Sequence, residues 1–94
     1  MLFLVIAKDG TDDGAPARRA AVRERHLAGA HALAEAGRLQ VGGAILDDEG
    51  TMIGSALIVE ADDEAALRSL LDADVYASHG VWQRYEVYPF RRAI

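Results

Sequence analysis

The sequence predicts an α+β fold whose elements follow the order β-α-β-β-α-β. Three observations carry that prediction. Two apolar runs flank an acidic, glycine-ended turn in mid-chain, two stretches with helical spacing stand on either side of that pair, and apolar strands lie near both ends.

"LFLVIA", residues 2–7, is short and rich in β-branched and aromatic residues, and the Gly, Asp and Pro of "KDGTDDGAPA" mark a loop after it. The stretch from about Ala17 to Ala36 is rich in Ala, Leu, Arg and Glu, lacks internal proline and stops at Gly37, which makes it the first helix. "RLQVGGAIL" and "TMIGSALIVE" become an antiparallel hairpin through "DDEG", with Gly50 free to take a positive φ. In "DDEAALRSLLDAD" an aspartate, Asp62 or Asp63, caps a second helix that presents Leu67, Leu70 and Leu71 on one face. "VWQRYEVY" is the last strand, closed by Pro89.

This is the ferredoxin-like, split βαβ order, a four-stranded antiparallel sheet with two helices on one face. Alternation in the third strand puts Ile53, Ser55, Leu57 and Val59 on one side and Met52, Gly54, Ala56 and Ile58 on the other, so both sheet faces are largely apolar. An uncovered apolar face calls for a partner, most simply the sheet of a second copy. The expectation is a single domain, residues 1–94, that forms a homodimer through its open sheet face.

Composition narrows the function. A net charge of −5 with acidic residues spread along the chain excludes a basic stripe for nucleic acid. The absence of cysteine excludes a disulfide framework, a zinc thiolate site and a thiol nucleophile, and suggests a cytoplasmic protein. The opening "MLFLVIAKDG" is too short for a membrane span and lacks the basic start of a signal peptide. Arginines 18, 19, 23 and 25 form the one dense positive region, read as a solvated helix face near Glu24 or, alternatively, as an attractor for a small acidic molecule.

No cofactor is expected. "GGAILDDEG" lacks the strand-turn-helix setting of a nucleotide site, the three histidines lack metal-ligand spacing, and the loop after the first strand has Ala20 where a calcium loop needs a glutamate. That loop reads as a solvated connection bordering any cleft. Trp82, Tyr85 and Tyr88 read as structural aromatics of the last strand, or as a wall for a planar ligand.

"VRERHLAGAHALAEAG" holds two histidines five residues apart, which cannot share a helix face. At about 100° per residue, His26 falls near Val22, Gly29 and Leu33 and looks inward, while His31 looks toward solvent. His79 has no inferred partner.

"AVRERHLAGAHALAEAGRLQVGG", "GSALIV", "DVYASHGVW" and "VYPF" together resemble the YciI-like proteins over nearly the whole chain. That family carries an R-x-x-H motif on the first helix, a Gly-Ser in the third strand and an Asp-Pro-(Tyr/Phe) segment after the second helix. The motifs fall on Arg23 and His26, on Gly54-Ser55, and on Asp74 and Tyr76; Val75 and Gly43 stand where the family has proline. The resemblance implies a dimeric α+β barrel and a cleft holding a histidine and an aspartate. Some relatives of this barrel act on ring compounds.

On that resemblance, Asp74 orients His26 as a general base, Arg23 holds an acidic group of the substrate, and Ser55 and Tyr76 contribute to binding. The expected function is a small acid–base enzyme of lyase or isomerase type acting on a small cyclic or acidic metabolite. The alternative is a non-catalytic ligand-binding or dimeric assembly module, in which His26 is a structural residue, Asp74 a helix cap, Arg23 a surface charge and Ser55 a small residue making room for a helix.

Overall fold

A computed structural model describes all residues, Met1–Ile94. Its elements are β1 (Leu2–Asp9), α1 (Ala15–Glu35), β2 (Leu39–Leu46), β3 (Met52–Glu60), α2 (Glu64–Asp72), α3 (Val75–Ser78) and β4 (Trp82–Phe90). The strands form one antiparallel sheet in the order β2-β3-β1-β4, with the helices on one face, as the ferredoxin-like pattern requires. No helix is long and apolar enough to cross a membrane.

Local signals explain most boundaries. The first helix starts at Ala15 rather than Ala17, because Pro16, fixed near helical φ and lacking an N–H, suits a first turn. It stops at Gly37, whose φ of 77° admits no ordinary side chain cheaply. There Arg38 N–H donates to Leu33 C=O and Gly37 N–H to Ala34 C=O, the paired bonds of a Schellman motif. In the β2–β3 turn, Asp47 Oδ1 accepts from Glu49 N–H and Thr51 N–H, both at 2.9 Å, and Gly50 takes φ 86°. Asp63 caps α2 by accepting from Ala66 N–H. Pro89 does not end β4 but pairs with Phe3, which an edge strand tolerates because the missing N–H would point away from the ladder.

On β1, which with β3 forms the inner pair of strands, Phe3, Val5 and Ala7 are buried under the helices and pack with Leu57, Val59, Leu67 and Leu71. The opposite face carries Leu4, Ile6, Ile58, Val41, Tyr88 and Phe90, the last three exposed.

Three ladder irregularities depart from plain alternation. Asp9 pairs with Trp82 while Lys8 pairs with Arg84, so Gln83 is the extra residue and Trp82 turns to the helix side. Leu39 pairs with Val59 while Val41 pairs with Ile58, which makes Gln40 the extra residue and turns Leu39 inward. At the far end Leu46 pairs with Met52 and Ile45 with Gly54, so Ile53 bulges, and the assignment of Met52 to the open face is corrected: it lines the helix side.

Tyr85 ties α2 to the sheet, its hydroxyl donating to Asp72 Oδ1 at 3.3 Å. Burial, reinforced by the charge of Asp72, pushes its phenol up to about 12. A tyrosine in the unfolded chain ionises near ~10, so the folded state binds this proton more firmly. The resulting stabilisation is present below pH ~10 and is lost as pH rises toward 12. Urea unfolding of wild type and Tyr85→Phe across pH 8 to 12 will therefore show a stability gap that narrows above pH ~10; a constant gap would mean the shift is absent.

Candidate active site

The helix face of the sheet carries a buried polar chain that crosses four elements. Arg19 of α1 sends Nη1 to both oxygens of Asp9 on β1 at 2.9 and 2.8 Å, and Nη2 to Ser55 Oγ on β3 at 3.0 Å. Trp82 of β4 donates Nε1–H to the same Ser55 Oγ at 3.1 Å. Asp9, Arg19 and Ser55 are 9%, 5% and 2% exposed, so the pair has been taken largely out of water. Because arginine and tryptophan are donors only, they occupy the acceptor positions of Ser55 and leave its own O–H uncommitted. Arg19 also lies 4.8 Å over the Tyr76 ring.

These placements correct several expectations. Arg19 is not part of a solvated helix face, and of its neighbours Arg18 is bound bidentately by Asp12 while Arg23 and Arg25 stay exposed. Arg18 holds the Asp12 carboxyl down at about 2. The loop carrying Asp12 does not line the cavity that opens between α1 and β2, and Asp9 belongs to β1, which runs two residues past the expected strand end. Trp82 is a member of the buried polar chain rather than only a structural aromatic.

His26 and Asp74 meet. The imidazole Nδ1 lies 2.8 and 3.0 Å from the two Asp74 oxygens, and the two side chains are 11% and 14% exposed. Asp74 is also the N-cap of α3, its Oδ1 accepting from Tyr76 N–H at 2.8 Å. The cap and the histidine partner are thus one carboxylate. Val75 occupies the first helical position, where proline would be favoured, yet the cap forms without it. The cap carries Tyr76 beneath the imidazole, with rings stacked at 3.8 Å between centroids and 9° between planes, while Trp82 meets both rings edge-on at 5.5 Å. Burial pushes the Tyr76 phenol up, which keeps it protonated.

With Nδ1–H donated to the carboxylate, Nε2 is left as the basic nitrogen. His26, Tyr76, Ser55 and Arg23 border a cavity of about 350 Å³ between α1 and β2. Asp74 does not line it and holds the ring from behind. Arg23 has no carboxylate partner, and no acidic residue lines the cavity although the chain carries fifteen. His31 is exposed, yet it stands on the rim of this cavity rather than away from it. His79 lies outside, its Nδ1 near Val75 C=O and Ser78 Oγ.

The family model for the YCII-related domain matches residues 1–91. The chain belongs to this family. Protein YciI of Escherichia coli O6:H1 (strain CFT073) is 33% identical over 98 residues, covering 98% of each chain. The solved 5-chloro-2-hydroxyhydroquinone dehydrochlorinase of Burkholderia phenoliruptrix AC1100, in complex with 2,5-dihydroxybenzoquinone, is 30% identical with a TM-score of 0.83, over 99% of this chain and 96% of that one. An uncharacterized NIPSNAP domain protein from Burkholderia xenovorans shares the fold alone, at 21% identity and a TM-score of 0.50 over 99% and 96% of the two chains. The likeness to a protein named as an enzyme acting on a hydroquinone thus runs through the helices and all four strands of this YCII-family chain.

The buried chain sets a stability prediction. Asp9→Ala leaves the Arg19 charge buried and unpaired, with an expected loss of about 3–5 kcal/mol. Ser55→Ala removes the acceptor for two buried donors, with an expected loss of about 1–3 kcal/mol. Urea denaturation of each variant checks both, and a loss under about 0.5 kcal/mol for Asp9→Ala, the size of an ordinary surface substitution, would refute the role given to the pair.

Proposed function

We propose that the chain is a small acid–base enzyme of lyase or isomerase type in which His26 moves a proton on a small anionic ring compound. The observation that carries this reading is the His26 ring itself, oriented by Asp74, clamped flat on Tyr76 and exposed to a cavity with cationic but no anionic lining. Asp74 holds Nδ1–H and so fixes the tautomer, which makes Nε2 the nitrogen that takes the proton. Arg23 receives the acidic group of the substrate. Ser55 O–H and the protonated Tyr76 phenol are the donors for ring oxygens, and the charge of Arg19, already matched by Asp9, holds Ser55 in place. In an elimination the proton leaves to Nε2 as an anionic leaving group departs; in an isomerisation the same nitrogen returns it to another ring atom. The activity named for the dehydrochlorinase supports the elimination branch.

Chloride release from chlorinated hydroquinones and isomerisation of ring acids make the first substrate panel. On whichever compound turns over, His26→Gln is expected to lower kcat by about 10²–10⁴, the usual worth of a positioned general base, with circular dichroism and melting temperature close to wild type. Loss of folding in place of loss of rate would make His26 structural.

The open sheet face favours a second reading, assembly, which is compatible with the first. We propose that two copies bury Leu4, Ile6, Ile58, Tyr88 and Phe90 against each other. Sedimentation at micromolar concentration should give twice the chain mass, and Ile58→Lys should give a monomer; a wild-type monomer would overturn the assembly.

A further inference from the structure

We infer that the natural ligand is a ring acid bearing an apolar arm, with the arm seated between α1 and β2 beyond His26. This rests on the proposed placement of the reacting ring at the polar end of the same cavity.

The cavity is longer than a ring needs. Its lining on α1 runs from Arg19 and Arg23 through His26 to Ala30 and Ala34. At 1.5 Å per residue, Arg23 and Ala34 are roughly 16 Å apart along the axis. The volume of about 350 Å³ also falls among pockets that hold drug-sized ligands rather than a single six-membered ring.

Its two ends differ in chemistry. Ala44 pairs with Ser55 at the end where Arg19 and Arg23 lie, and Leu39 pairs with Val59 at the other. Toward the Leu39 end the lining is Ala30, Ala34, Leu39, Gly42 and Leu57 with His31 and Gln40, of which Ala34, Gly42, His31 and Gln40 are exposed. The space exists because small residues face each other across it, Ala30 and Ala34 one turn apart on the helix and Gly42 and Ala44 on one side of the strand. Over Gly42 itself the Leu57 and Leu39 side chains close in, where an added Cβ would meet them at 3.2 and 3.4 Å, so the open part of the space lies on the Ala30 and Ala34 side. The uncommitted O–H of Ser55, a side chain 2% exposed, marks the opposite end as the polar anchor.

The test is calorimetric binding of a para-alkyl series: benzoate, 4-ethylbenzoate and 4-butylbenzoate. In the wild type each added methylene should tighten binding about three- to fourfold. Ala34→Leu, at an exposed helix position that leucine suits, should flatten that gain, and Arg23→Gln should weaken all three acids alike. A series that gains nothing with length overturns the arm; if Arg23→Gln still weakens those acids, the ring-acid reading survives it. A gain that persists undiminished in Ala34→Leu also overturns the arm, because the chain then lies elsewhere. A gain that Ala34→Leu abolishes, with Arg23→Gln without effect, supports the arm and refutes the acid end. Failure of every member to bind at millimolar concentration overturns both.

Discussion

The contact on which the rest of the structure depends is the buried Asp9–Arg19 ion pair. It joins α1 to β1, and through Ser55 and Trp82 it reaches β3 and β4. Taking two charges out of water costs several kcal/mol per ion, and apolar replacements of buried pairs are often neutral or stabilising. Stability alone therefore gives no reason for such a pair here. Position does. A helix seated on a sheet by hydrophobic contact can slide or rotate at small cost, whereas Nη1 and Nη2 bonded to Asp9 and Ser55 admit one register. Seven residues on, almost two turns, that register presents His26 to Asp74 and Tyr76.

The second constraint is economy around Asp74. An N-cap carboxylate has two oxygens and several lone pairs, and here it satisfies the first turn of α3 while gripping an imidazole. The cap sets where Tyr76 sits, and Tyr76 sets the plane of the imidazole. Removing the carboxylate would therefore disturb the ring above and the helix below together. That coupling also accounts for a four-residue helix holding a fixed place, since its buried tyrosine and its cap are both part of the site.

The order of the four strands and two long helices, both helix caps of the central region and the hairpin were legible in the sequence because each rests on local chemistry: Gly37, Asp47, Gly50 and Asp63 act within a few residues of themselves, whereas the four-residue α3 was not among the expected elements. The His26–Asp74 contact was legible only through family resemblance, because forty-eight residues separate its members. Arg19 was misread by charge and was readable by spacing. Ala15, Arg19, Val22 and His26 form one helical stripe, and an arginine within a stripe of buried residues calls for a buried partner. The faces of Trp82, Leu39 and Met52 could not be read from alternation. A bulge inverts the alternation beyond it, and nothing in Gln83, Gln40 or Ile53 announces one.

The sheet keeps two demands apart. Even-numbered residues of β1 face the open side and odd-numbered ones the helices, so Leu4 and Ile6 are available for assembly while Ala7 and Asp9 serve the core and the site. Every side chain in the proposed chemistry lies on the helix side, and the apolar strip lies on the other. A bulge is what such a division requires when one strand must serve both faces. Strict alternation in β4 would have sent Trp82 to the open face with Arg84 and Glu86, leaving Ser55 with one donor and the His26–Tyr76 stack without its edge contact. The extra residue at Gln83 returns the indole to the site while the rest of β4 keeps the register that gives the open face Tyr88 and Phe90.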